Sequence, residues 1–294
     1  MSEKNHEFLD LSGIRPPQEQ VDLLNKKDFP ILEGISTINL RILNGASRVM
    51  HVSKGVEMLH EGDTPHDLYF VRNGKLSIGR KIGGQLKLLA HLYPGDVYGE
   101  FGALRRKSRY ASVFTVEPSR IIRVDLTAIQ QVLEADSDFR KRLTKLLAHR
   151  MLESFFFTHP VFKKLPADIR GTLARELPTH FAKRGDRIFS HGDTPKGIYI
   201  ILSGEVEIRY LNRAKAEVLL EIRRDADMLG ELAQNHGKAL AYSAVAASDL
   251  DMLELDKEAM HILEKRHPAT FKILGSFIDK RAEYTIQRLK ENPL

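Results

Sequence analysis

The stretch GVEMLHEGDTPHDLYFVRNGKLSI, residues 55–78, aligns without a gap on GDRIFSHGDTPKGIYIILSGEVEI, residues 185–208. Gly55 falls on Gly185, GDTP at 62–65 on GDTP at 192–195, Tyr69 on Tyr199, Gly74 on Gly204 and Ile78 on Ile208. With one residue inserted, Gly99-Glu100 meets Gly230-Glu231. A unit of about 130 residues used twice has the size of a domain and is far longer than a solenoid repeat. The chain is therefore expected to fold as two similar domains. Its 294 residues give each half enough length to bury its own core. The divisions are a tail with a short helix at 1–34, a first domain at 35–157 and a second at 158–294. Within the tail, residues 1–16 read as mobile and 18–26 as helix.

Each unit reads mostly as β. LYFVRNGKLSIGR and IYIILSGEVEIRYL are apolar runs broken by Asn-Gly or Ser-Gly, a hairpin signal. RIIRVD (120–125) and LDMLELD (250–256) alternate as half-buried strands do. Helical patterns close each unit, at 126–133 and 136–157, then at 257–265 and 268–291. Asp136 or Ser137 can cap the second of these, and Pro268 suits the first turn of the fourth. THPVFKKLP, around Pro160, marks the domain junction. The predicted fold class is mainly β with α: two tandem jelly-roll-like β-barrels, each followed by C-terminal helices. Phe139, Leu143, Leu146, Leu147 and Met151 form a stripe expected in the core and between the domains.

Composition narrows the chemistry. There is no cysteine, which excludes disulfides and thiolate catalysis. No apolar run is long enough to cross a bilayer, and the N-terminus lacks the basic-then-apolar pattern of a secretion signal. A cytoplasmic protein is expected, with neither membrane insertion nor direct DNA binding. The net charge of +6 suits an anionic ligand, and the basic residues are scattered rather than gathered into one arm.

GEFGALRRKSRYASV, residues 99–113, places an acid, glycines and an arginine between two apolar runs. A helical turn starting after Gly99 would offer free backbone N–H groups to an anion. Glycine lets the backbone come close. Arg109 adds a planar fork suited to phosphate, and Ala111 and Ser112 keep the walls small. Glu100 cannot bind phosphate, so it must face hydroxyl donors such as those of ribose. Together these describe a pocket for a nucleotide monophosphate. The second copy, GELAQNHGKALAYSA (230–244), keeps the acid but has Leu240 where the first has Arg109, and no one-residue shift restores an arginine. Lys238 and His236 lie nearby without the fork. Losing a charged hydrogen bond of about 1.5–3 kcal/mol predicts a second site at least tenfold weaker. Glu231 is then expected to satisfy backbone N–H groups rather than a ligand.

The pattern resembles the cyclic nucleotide-binding domain, twice over, at 35–157 and 158–294. The family's phosphate-binding cassette is similar to YGEFGALRRKSRYASV, and its barrel glycines match Gly55, Gly62, Gly74 and Gly95. The resemblance implies a ligand site of Gly99, Glu100, Phe101, Gly102, Arg109, Tyr110, Ala111 and Ser112, with Glu100 on the ribose 2′-hydroxyl and Arg109 on the cyclic phosphate. It implies cAMP as ligand, with cGMP disfavoured because Tyr110 stands where a Ser or Thr favours guanine. It also implies a base cap, for which Phe155, Phe156 and Phe157 are the candidates; the alternative for this run is a packed hinge.

The expected role is a non-enzymatic cyclic nucleotide receptor. Its first domain binds ligand and signals through hinge helices at 136–160 to a degenerate second domain and a protein partner. A homodimer is a further candidate assembly. A helix-turn-helix output has no room after residue 265, and residues 1–35 hold only Arg15, unlike the paired arginines of a kinase inhibitor site. The alternatives are a kinase-regulatory-type protein, a cyclic dinucleotide receptor and a cupin-like metal enzyme. The last would need a His-x-His…Glu set that His51, His60, His66 and His91 do not form. RRKS at 105–108 also resembles a basophilic kinase site.

Overall fold

The computed structural model describes residues 23–64, 67–82, 84–105, 109–159, 161–236 and 239–291. The tail helix at 18–26 falls mostly outside these, as do the mobile-tail reading, most of RRKS, Pro160, His66 and Lys238.

Domain one opens with helix α1 (Thr37–Gly45), whose N-terminus is capped by Ser36 accepting from the Asn39 N–H at 3.1 Å. Eight strands follow: β1 (Ser47–Val52), β2 (Glu57–Leu59), β3 (Leu68–Asn73), β4 (Leu76–Ile82), β5 (Gln85–Leu92), β6 (Val97–Tyr98), β7 (Ser112–Thr115) and β8 (Ser119–Val124). Helix α2 (Glu100–Arg105) interrupts them between β6 and β7. They pair antiparallel in two sheets, β1-β8-β3-β6 and β2-β7-β4-β5. Helices α3 (Leu126–Ala135) and α4 (Ser137–Thr158) close the unit. Asp136 caps α4 by accepting from the Phe139 N–H at 2.8 Å.

Helix α5 (Ala167–Glu176) leads into domain two, with strands β9 (Thr179–Ala182), β10 (Arg187–Phe189), β11 (Ile198–Ser203), β12 (Val206–Leu211), β13 (Glu217–Arg223), β14 (Met228–Leu229), β15 (Ser243–Ala246) and β16 (Leu250–Leu255). Helix α6 (Glu231–His236) again lies before the last two strands, and α7 (Lys257–Arg266) and α8 (Pro268–Glu291) end the domain. The sheets are β9-β16-β11-β14 and β10-β15-β12-β13, the order of domain one repeated. The register shifts repeat as well, at Val71/Asn73 and at Ile201/Ser203. The jelly-roll-like tandem read from the repeat is the fold.

Each barrel has its own apolar filling: Val71, Leu76, Leu92 and Ile121 in the first, Val206, Ile208, Leu229 and Leu250 in the second. A third cluster joins the domains. Its spine is α4, which extends across the expected boundary at 157/158. Phe139 and Leu143 of α4 bury into domain one, while Met151, Leu152, Phe155 and Phe156 pack with Leu173 of α5 and Ile200 and Leu253 of domain two. One helix thus has a face in both cores.

Candidate functional site

Strand β6 delivers the chain to Gly99, whose φ is +92°. A Cβ there would sit 2.6 Å from the Asp67 carbonyl and 3.0 Å from the Arg109 guanidinium, so only glycine fits. Glu100 starts α2 and is buried. The return segment is fixed by its backbone: the Arg109 N–H donates to Asp63 O at 2.7 Å, and the Gly62 N–H to Arg109 O at 2.9 Å.

Arg109 is 3% exposed. Its Nη1 donates to Gly99 O at 2.9 Å and its Nη2 to Asp67 O at 3.1 Å. Among the described residues no carboxylate pairs with it, and its Nε is buried without an acceptor. Burial lowers its pKa from the arginine value, against the opposing pull of Tyr69, Asp67 and Glu100. The side chain borders a cavity of about 690 Å³, mouth included, shared with Gly99, Glu100, Phe101, Tyr110 and Ala111. Residues of α4 roof it: Leu147, Arg150, Met151, Glu153 and Ser154. Arg150 Nη1 donates to Glu100 Oε1 at 3.1 Å and to Val97 O at 2.6 Å, tying the roof to the cassette acid.

The structure brings six of the eight expected site residues to the cavity. Gly102 is buried within α2, and the Ser112 hydroxyl points elsewhere, accepting from the Glu61 N–H at 2.9 Å. Ser243 does the same for His191 at 3.0 Å in domain two, so this serine holds a turn in both copies. Tyr110 lies under the Arg80 guanidinium at 4.1 Å, and its hydroxyl accepts from Arg80 Nη1 at 2.9 Å. The three base-cap candidates lie away from the cavity in this structure. Phe155 and Phe156 are buried against Phe162 at 5.5 and 5.3 Å, and Phe157 is 47% exposed with Arg170 over its ring. None of the three borders the cavity: its roof is formed by Leu147, Arg150, Met151, Glu153 and Ser154, while Phe155 and Phe156 pack in the cluster between the domains, as the packed-hinge alternative has it.

Domain two keeps the backbone frame and changes its contents. Leu240 repeats the pins of Arg109, donating to Asp193 O at 2.8 Å and accepting from the Gly192 N–H at 2.8 Å. The acid beside it, however, is already fully engaged. Glu231, 0% exposed, accepts from Arg223 at 2.9 and 3.0 Å, from the Tyr242 hydroxyl at 2.8 Å and from Thr285 Oγ1 on α8 at 2.7 Å. Burial disfavours both charges and the pairing outweighs it, leaving the Glu231 carboxyl below its ordinary pKa and the Arg223 guanidinium above. Among the described residues Glu231 therefore holds side chains rather than the backbone N–H groups expected of it. In the repeat alignment Tyr242 stands at the position of Ala111, and Arg223 at that of Leu92. Sequence reasoning missed Arg150, Arg223 and Thr285, which carry no local signal for these roles. It also missed Tyr242, although the exchange of a small residue for a large one opposite Ala111 signals a filled site.

Among the described residues no three His, Asp or Glu side chains gather as a metal centre requires. None of their helices is long and apolar enough to cross a membrane.

A family model for the cyclic nucleotide-binding domain matches residues 49–136 and again 179–267. The cAMP-dependent protein kinase regulatory subunit of Aspergillus niger is 26% identical over 243 residues, 79% of this chain and 54% of that protein. The one from Pyricularia oryzae is 24% identical over 220 residues, 72% and 54% respectively. The chain thus spans about half the length of the curated relatives it matches. Among solved structures, the regulatory domain of Toxoplasma gondii PKA with cAMP is 19% identical, with a TM-score of 0.39 over 89% of this chain and 96% of that one. A regulatory subunit of a cAMP-independent protein kinase A from Trypanosoma brucei is 19% identical, with a TM-score of 0.41 over 89% and 92%. With both barrels matched, the chain belongs to the cyclic nucleotide-binding domain family and carries the domain twice.

Proposed function

We propose that the chain is a cyclic nucleotide receptor that takes cAMP in its first barrel, while the second barrel is a sealed copy. The observation that carries this reading is Arg109, a buried guanidinium at a cavity wall, bonded only to carbonyl oxygens and with Nε free among the described residues. A buried charge without a counter-charge is costly, and an entering phosphate supplies one. The start of α2 adds backbone N–H donors beside it. Glu100 takes the ribose hydroxyl, and Phe101 and Tyr110 give the ligand an aromatic border. In domain two the anion grip is replaced by Leu240 and the acid is consumed by Arg223.

The same geometry supports a relay. The roof residues of the cavity lie on α4, and the far half of α4 is part of domain two's core. A nucleotide held between cassette and roof favours whichever α4 position suits it, by no more than its affinity difference between the two states. The names of the curated relatives make a protein kinase catalytic subunit the first partner class to try.

Calorimetry with cAMP, cGMP and cyclic di-GMP on the wild type and Arg109→Leu tests the reading. One site per chain, tightest for cAMP and lost in the variant, is expected. Two equal tight sites, or binding indifferent to Arg109, would overturn it.

A further inference from the structure

On the face of α4 turned away from the nucleotide cavity runs a groove of about 1570 Å³, mouth included. One wall is α4, another the turn Pro30–Leu32, and a third the passage from α5 into β9. Its floor is apolar, with Ile31, Leu146, Leu152 and Leu177. Its rim carries Arg140, Arg142, Lys145 and Arg175, and no carboxylate among the described residues lines it. The rim arginines donate to neutral oxygens: Arg140 to Leu133 O, Arg142 to Ile31 O and Arg175 to the Thr172 hydroxyl. Arg142 Nη2 is buried with no partner among the described residues. A cationic rim over an apolar floor selects a segment in which carboxylates alternate with apolar side chains.

The chain itself contains one. Residues 1–22 hold Glu3, Glu7, Asp10, Glu19 and Asp22 against only Lys4 and Arg15, in a protein whose net charge is +6. Within them Glu7–Leu11 reads EFLDL, two carboxylates interleaved with Phe8, Leu9 and Leu11. The described chain begins at Leu23 and reaches the edge of the groove at Pro30 and Ile31. From Leu9 to Leu23 an extended backbone covers up to ~45 Å, ample for the return.

We propose that the groove along α4 is the docking site of the chain's own segment Glu7–Leu11. Its carboxylates meet the arginine and lysine rim and its apolar side chains cover the floor. Docking there bridges both domains along α4, on the face opposite the ligand.

The absence of cysteine makes the test clean. In the full chain, Leu9→Cys is combined with Ala148→Cys in the groove, or with Lys54→Cys in the loop after β1, and disulfide formation is followed over time. The groove pair should link within one chain and faster than the loop pair. Arg140→Glu with Lys145→Glu should slow it roughly fivefold, as two exposed ion pairs allow, and adding Glu7→Lys with Asp10→Lys should restore it. Equal rates at the two positions, a rate blind to charge reversal, or links only between chains would overturn the proposal. The last outcome would assign the groove to a second copy.

Discussion

A guanidinium buried among carbonyl oxygens keeps its whole charge, and in domain one that charge borders a cavity. Arg109→Leu copies the second barrel into the first. Charge-assisted hydrogen bonds contribute about 1.5–3 kcal/mol each, so cAMP affinity is expected to fall roughly 100-fold or more in calorimetry. The denaturation midpoint should change little, because the variant also removes an unpaired buried charge. The mirror change behaves oppositely. Arg223→Leu strands Glu231 inside domain two, and breaking a buried pair this way costs about 3–5 kcal/mol. Its pH dependence has a definite sign. In the wild type the Glu231 pKa is depressed, so its contribution is present above the unfolded carboxyl pKa and lost as pH falls through the folded one. Without Arg223, burial raises that pKa, and the stranded carboxyl favours the folded state only when protonated. Urea melts of Arg223→Leu should therefore show a larger deficit at about pH 7.5 than at about pH 5.

Among the elements, α4 is where one stretch of sequence serves two cores. Its C-terminal turn leads to His159, buried beside Phe155 at 4.7 Å, Phe162 at 5.2 Å and Phe277 at 5.5 Å. Burial lowers this imidazole from 6.5 to about 4. It stays neutral when folded, so its contribution is present above about pH 6.5 and is lost as pH falls toward about 4. Between about pH 6.5 and 5 the wild type should lose stability more steeply than His159→Leu, by about 1–2 kcal/mol in denaturant melts. The long helices are legible in the sequence because their apolar periodicity runs unbroken and Asp136 supplies a cap. Helix α5 is not: ADIRGTLARE comes directly after the THPVFKKLP junction, follows Pro166 and contains Gly171, and packing of Leu173 and Ala174 against α4 makes it helical. The same holds for the site. Glu100 and Arg109 share one local motif, whereas Arg150 reaches Glu100 from 50 residues downstream. Arg223 ends a strand at a position where local pattern alone suggests a rim residue.

At the scale of the whole molecule, the cassette touches domain two directly. Arg105, at the end of α2, holds Asp251 of β16 with Nε at 3.0 Å and Nη2 at 2.6 Å, and its guanidinium lies 4.2 Å from the Phe181 ring. The pair is well shielded, at 12% and 6% side-chain exposure. A second tie runs from Tyr110 through Arg80 to Asp225, at 2.9 and 2.8 Å. Under the proposed relay, a ligand that reorders the cassette would have these contacts as a route to domain two besides α4. Asp251→Asn keeps the shape and removes the charge. If the cassette pair carries part of the relay, cAMP should slow amide exchange in β16 and α5 of the wild type, and this protection should shrink in the variant. Affinity itself should change by no more than the coupling free energy, typically about 1–3 kcal/mol or roughly 5- to 150-fold, because Asp251 lies outside the cavity and acts only through that coupling. Protection undiminished in Asp251→Asn would assign the whole relay to α4, whose contacts with both cores the variant leaves intact.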